Sequence, residues 1–374
     1  MSKSTKIIIG IIVVFILVWA SYALLRQRRV SSGPIQIGFI GPLSGDGAAW
    51  GEEQKYAMDI AVEEINGKGG VNGRTLSVIY EDGKCDGKTA ATAAQKLISV
   101  DSIRILMPVC SAESLAVAPI AEQNKVLEFA VWPTNPTYSG IGTYTFRNSY
   151  SDDDTGKVMA STIGAKFSRV GIITELTDYP VGLRDAFKKY FRGDMHEEGY
   201  QPGSRDLRTQ AAKILSKNPE AILLNPNSPL AGLAALEQLR ALGYKGQFYG
   251  NFFGSSGDVL KSKAAEGMIF FADPAVPENT MKGHLLDEYQ KRFGTKPDFE
   301  FAVAAQYDSV YILKQAIEAV GPEPDKLKDY LHSLKNFTGV LGTYGFNEKG
   351  DVIGYLPSVK QIKDGMVGPY TEKQ

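Results

Sequence analysis

The stretch IQIGFIGPLSGDGAAWGEEQKYAMDIAVEEINGKGGVNGRTLSVIYEDGKCD runs from Ile35 to Asp86 and decides the fold. Ile35–Ile40 is a short apolar run and reads as a strand. Gly41 to Gly45 is a turn-rich loop. Tyr56–Ile65 carries Met58, Ile60, Ala61 and Ile65 at helical spacing. Lys68 to Gly73 is a cluster of chain breakers, and Leu76–Tyr80 is a second strand. Strand, helix and strand in that order predict a parallel pair with its crossover helix.

The same alternation continues outward. Arg104–Val109, Val126–Val131, Val170–Thr174, Ala221–Leu224, Gln247–Tyr249 and Met268–Phe271 read as strands. Helices are expected at 89–97, 114–123, 181–191, 211–215, 230–242, 283–293, 301–320 and 325–334. Tyr344–Asn347 and Tyr355–Ile362 look extended. The pattern predicts an α/β protein with parallel sheets covered by helices on both faces. The loop-rich stretch 132–154 divides the strands into two runs, hence two sheets. Ligands of such folds bind outside the carboxyl ends of the strands. The loops after Ile40, Val109, Val131, Thr174, Leu224 and Tyr249 are therefore the places to look.

The chain has 374 residues, 43% of them hydrophobic and 22% charged, enough for a sizeable core. The net charge of −1 offers no bulk attraction for nucleic acid. Ile7–Leu25 is a charge-free apolar run of 19 residues, within the roughly 17–25 that span a bilayer. It predicts an N-terminal transmembrane helix followed by a linker, residues 1–33 together. Lys3 and Lys6 before it balance Arg26, Arg28 and Arg29 after it, so charge does not orient it. A cleaved signal peptide is the alternative, because Ser21-Tyr22-Ala23 has the small-x-small form that signal peptidase accepts.

Motifs for familiar enzyme chemistry are missing. No G-x-G-x-x-G follows the first strand, and no G-x-x-x-x-G-K-[ST] or H-E-x-x-H occurs. No G-x-S-x-G nucleophile elbow occurs either. His196, His284 and His332 lie far apart and have no helical-spacing partner. No cofactor, metal or catalytic residue is expected. Asp152, Asp153 and Asp154 are read as the start of a helix, where acids suit the dipole.

The strand-end loops instead suit a small molecule. Cys110 to Ser114 opens a helix with hydroxyls and free N–H groups, a site for an anion such as a carboxylate. Aromatic residues stand in four of the six loops, around Trp50, Trp132, Tyr179 and Phe252. Aromatic walls with a few placed polar groups describe a ligand pocket. Cys85 and Cys110, 25 residues apart, are the whole thiol inventory. A disulfide and a pair of reduced thiols both remain open for them.

The segment Ile37–Asp86, with PVCSAES, TDYPVGLRDAF, PGSRDL, AAQYDSVYILKQAI and FNEKGD, resembles the type I periplasmic binding proteins. It is most similar to their leucine/isoleucine/valine-binding branch, the solute-binding proteins of ABC transporters. The resemblance covers nearly all of 35–369. It implies two Rossmann-like lobes joined by three crossovers, residues 34–150 plus 275–337 and residues 151–274 plus 338–374. The lobes would close on a ligand like a hinge. It implies a disulfide between Cys85 and Cys110. It implies that Ser111 and Thr134, with backbone groups near Ala112 and Trp132, hold a ligand carboxylate. Trp50 would cover the ligand body, and Tyr179 would close over it.

Two positions depart from the family pattern. Phe252 stands where amino-acid binders carry the glutamate that holds the ligand ammonium. Asn227 stands at a second position, where they carry an aromatic hydroxyl. An ammonium buried without its carboxylate would cost several kcal/mol, unless Glu175 or Asp178 substitutes. The implied function is an extracytoplasmic receptor of an ABC importer, working with a membrane permease. Its ligand is expected to be a small carboxylate or amide, branched-chain amino acid-like or an aromatic or organic acid. A ligand-sensing subunit on the same fold is the alternative. The expected location is the cell membrane, with the lobes outside, or the periplasm if a signal is cleaved.

Overall fold

The computed structural model describes residues 33–371. The apolar run 7–25 lies outside them, so the expected membrane helix does too. Among the described residues no helix is long and apolar enough to cross a membrane.

The first sheet has five parallel strands in the order β2-β1-β3-β4-β5. They are β1 (Ile35–Gly41), β2 (Leu76–Asp82), β3 (Ile105–Pro108), β4 (Leu127–Val131) and β5 (Thr145–Asn148). β1 is an interior strand, buried along nearly its whole length, as expected for a strand covered on both faces. Helices α1 (Ala48–Gly67), α2 (Gly87–Ser99) and α3 (Ser111–Asn124) connect the strands. α1 starts eight residues before the helical spacing announces it. Gly51 permits this early start: a Cβ there would lie 1.9 Å from the Pro42 carbonyl oxygen.

The second sheet repeats the plan. β6 (Arg169–Glu175), β7 (Asp194–Tyr200), β8 (Ala221–Asn225), β9 (Gln247–Gly250) and β10 (Ile269–Ala272) are parallel, in the order β7-β6-β8-β9-β10. Two antiparallel strands, β13 (Ser358–Lys363) and β14 (Met366–Pro369), extend its β10 edge. Helices α4 (Asp152–Gly164), α5 (Asp178–Tyr190), α6 (Arg208–Leu215), α7 (Pro229–Ala241) and α8 (Gly257–Lys261) belong to this half. The acidic triplet does begin a helix, with Ser151 as its cap.

The chain passes between the sheets three times: between β5 and α4, after β10, and through residues 353–357. After β10, helices α9 (Thr280–Phe293), α10 (Glu300–Val320) and α11 (Pro324–Ser333) return to the first half. Their Leu285, Phe301, Leu313 and Leu327 join one core with Phe39 and Phe129. The hairpin β11 (Phe337–Gly339) and β12 (Gly342–Tyr344) follows. The third passage comes later than expected. Val340, Leu341, Tyr344, Phe346 and Val352 are buried in that first core, so the chain stays there beyond residue 337.

In both sheets the first strand lies between the second and the third. Consecutive loops at that strand's carboxyl end therefore part in opposite directions and leave a crevice. The two crevices face each other.

Candidate ligand-binding cleft

The β3–α3 turn is built around one acid. Glu113, at the third position of α3, accepts hydrogen bonds from Cys110 N at 2.9 Å and Val109 N at 3.3 Å. Its other oxygen accepts from Cys85 N at 3.0 Å. Burial pushes its carboxyl up to about 8, against the pull of these three N–H groups. Cys85 and Cys110 form a disulfide across a Cα–Cα distance of 5.3 Å. The β2 and β3 loops are thus fixed twice.

Ser111 opens α3 and is 3% exposed. Its Oγ accepts from the backbone N–H groups of Thr134 and Asn135, at 3.2 and 3.3 Å. Its hydroxyl proton remains available to a ligand oxygen. Thr134 Oγ1 donates to Asp152 Oδ2 at 2.7 Å. Burial pushes the Asp152 carboxyl up to about 7, although Thr134 and the Arg147 guanidinium both pull it down. Near neutrality Asp152 therefore passes between acceptor and donor. Once protonated it can donate to Thr134, whose own proton then turns to a ligand.

Trp132 holds a left-handed backbone at φ 81°, an uncommon conformation for a bulky residue. Its indole Nε1 donates to Asp273 Oδ1 at 3.0 Å, and the Tyr150 hydroxyl donates to the same oxygen at 2.7 Å. Burial raises the Asp273 carboxyl above its ordinary value. This acid follows β10, where the chain leaves the second half, so it ties a pocket wall to a crossing segment.

Phe252, from the loop after β9, points into an aromatic cage. Its ring centroid lies 5.4 Å from those of Trp132 and Tyr179, and 6.1 Å from Trp50. Phe299 closes the cage at 5.9 Å. The geometries are tilted or edge-to-face, the arrangements that aromatic quadrupoles favour. Trp50, Ser111, Trp132, Thr134, Tyr179, Asn227 and Phe252 line one cavity. The structure brings together seven of the eight residues expected at the ligand. Ala112 is buried on α3 and does not line the cavity. Of the two substitute acids, Asp178 is exposed, and Glu175 stands behind Asn227, accepting its backbone N–H at 2.8 Å.

Two aromatics escaped the sequence reading. Tyr150 sits on the first crossing segment and lines the cavity. Phe299 precedes α10, and Glu53 of α1 pins its loop by accepting from Asp298 N at 2.8 Å and Phe299 N at 3.0 Å. Tyr150 follows β5, a short edge strand that leaves no apolar run, and Phe299 follows no strand at all. The one available signal was Phe299 standing apolar among the charges of Lys296, Asp298 and Glu300.

Residues 34–357 match the family model described as periplasmic binding protein. The chain belongs to this family. Within it the chain resembles the leucine/isoleucine/valine-binding branch. It is 28% identical over 345 residues to the Leu/Ile/Val-binding protein homolog 2 of Brucella abortus, covering 88% of this chain and 90% of that one. It is 26% identical to the leucine-, isoleucine-, valine-, threonine- and alanine-binding protein of Pseudomonas aeruginosa, covering 89% and 90%. The solved leucine-binding protein LivK of Thermotoga maritima is 27% identical and superposes with a TM-score of 0.82, over 90% and 98% of the two chains. As a periplasmic binding protein, the chain is a solute receptor of the ABC transport family and not an enzyme. The type I fold, implied by the resemblance, holds.

Proposed function

We propose that the chain is the extracytoplasmic receptor of an ABC-type importer, and that it closes two lobes over a small carboxylate or amide. The lobes would be residues 34–150 with 275–355, and 151–274 with the remainder. The three crossings are the hinge in this reading. A membrane permease is the partner that receives the ligand. The apolar run 7–25 supports a tether to the membrane.

The aromatic cage carries the reading. Phe252 and Tyr179 come from loops of the second sheet, while Trp50 and Trp132 come from the first. A ligand body held there touches both lobes, so its binding favours closure. The Ser111 hydroxyl and the first N–H groups of α3 suit the carboxylate or amide end. Phe252 offers no charge to an α-ammonium beside that carboxylate. The ligand is therefore proposed to lack an α-amine.

The test is a thermal-shift screen of aromatic and aliphatic acids, amides and amino acids. A ligand at 100 times its dissociation constant adds about 2.7 kcal/mol of stability, which is readily seen. Acids or amides without an α-amine should lead the ranking. A screen in which α-amino acids alone stabilise the protein would refute the proposal.

A further inference from the structure

The cleft continues beyond the aromatic cage. A second chamber shares Trp50 and Asn227 as walls with the first. Asp46 and the Lys84–Asp86 turn bound it on one side, and Glu175, Thr177 and Ser228 on the other.

Its chemistry differs from that of the cage. Glu175 is 3% exposed. Its Oε2 accepts from Asn227 N at 2.8 Å, Ser228 N at 3.2 Å and the Tyr200 hydroxyl at 3.2 Å. Its Oε1 accepts no hydrogen bond among the described residues. Thr177 Oγ1 and Ser228 Oγ are buried and have no partner either. Buried polar atoms are normally satisfied; the two hydroxyl oxygens lie closed off behind this wall, whereas Glu175 Oε1 is not among the buried unpartnered atoms. The other charges of the chamber are engaged or solvated. Asp46 pairs with Arg205. Asp86 caps α2, accepting from Thr89 N at 2.8 Å and the Thr89 hydroxyl at 2.6 Å. Lys84 is exposed to solvent. Among the described residues Glu175 forms no ion pair.

We infer that the outer chamber is a second ligand subsite for a cationic N–H donor group, an ammonium or amidinium, with Glu175 as its charge partner. An ammonium or amidinium carries several donors, and Glu175 offers an unengaged carboxylate oxygen in this wall. The inference rests on the proposed carboxylate-binding cleft and deepens it. The ligand class becomes a carboxylate and a cationic nitrogen at opposite ends of an apolar or aromatic body.

Matched pairs test this in the full chain by calorimetry: 4-(aminomethyl)benzoate against 4-methylbenzoate, and 6-aminohexanoate against hexanoate. In each pair the amine should bind at least tenfold tighter, since hydrogen bonds to charged groups are worth roughly 10- to 100-fold. Glu175→Gln keeps an acceptor oxygen for the Asn227 and Ser228 N–H groups but removes the charge. It should bring the affinity ratio within each pair close to one. If the plain acids bind and the amines gain nothing, or gain equally in Glu175→Gln, the subsite is overturned and the carboxylate cleft stands. If no member of either pair binds, the carboxylate cleft falls and the subsite with it.

Discussion

Phe252→Ala separates a cleft wall from a core residue. Phe252 is 7% exposed, and four aromatic rings surround it. A buried phenylalanine covers roughly 150–250 Å². Losing most of that at about 25 cal/mol per Å² costs about 3–5 kcal/mol, the usual range for Phe→Ala in a core. Where the cost falls is the test. Trp50, Trp132 and Phe299 belong to the first half and Phe252 to the second, so these contacts exist only when the halves meet. The ligand-free protein, able to open, should lose about 1 kcal/mol or less. That is a shift in Tm of about 2–4 °C for lobes of this size. The ligand-bound form should lose the rest, a fall in affinity on the order of 30- to 1,000-fold. Thermal unfolding without ligand and calorimetry with the best ligand of the screen read the two parts. A drop in Tm of about 10 °C without ligand, with affinity preserved, would refute the reasoning.

Other outcomes follow from the same geometry. Ser111→Ala leaves the N–H groups of Thr134 and Asn135 without their acceptor. It should cost about 1–3 kcal/mol in urea unfolding and abolish carboxylate binding; unchanged binding would remove Ser111 from the site. The raised Asp152 carboxyl gives a pH dependence with a definite sign. Its folded value of about 7 lies above the ordinary 3.8, so its stabilising contribution is present at low pH and lost as pH rises through 7. Carboxylate affinity should rise between pH 8 and pH 6, and Asp152→Asn should flatten that profile in calorimetry. Reducing Cys85–Cys110 should lower stability by roughly 3 kcal/mol in the chain-entropy model, read as a lower urea midpoint with reductant; an unmoved midpoint would show that the bridge adds nothing.

The fold was legible where buried parallel strands leave apolar runs. All eight parallel strands expected from such runs are present, each within two residues at either end. The strands that were missed lack that signal. β7 has the sequence DMHEEGY, polar along an edge, and is a strand because β6 pairs with it. β5 is the four-residue edge TFRN, held by β4. Residues 338–352 were placed in the wrong half because sequence alone does not say which core receives a hairpin. Their Val340, Leu341 and Phe346 fill the first core. The cavity was legible because it is built from strand-end loops, whose position follows from topology. Tyr150 follows β5, the edge strand that left no apolar run, and Phe299 comes from a helix start, so only tertiary packing delivers them. Glu175 was visible as an acid in a strand-end loop, but its free oxygen and the chamber it faces were not.

The central claim is that Phe252 has turned an amino-acid receptor's cleft toward carboxylates without an α-amine. Calorimetric titration of the full chain with leucine, valine and their deaminated analogues 4-methylpentanoate and 3-methylbutanoate tests it most directly. The account predicts that each deaminated acid binds more tightly than its parent amino acid, because an α-ammonium would be buried against the Phe252 ring. Tight binding of leucine or valine, with no binding of the deaminated acids, would contradict it.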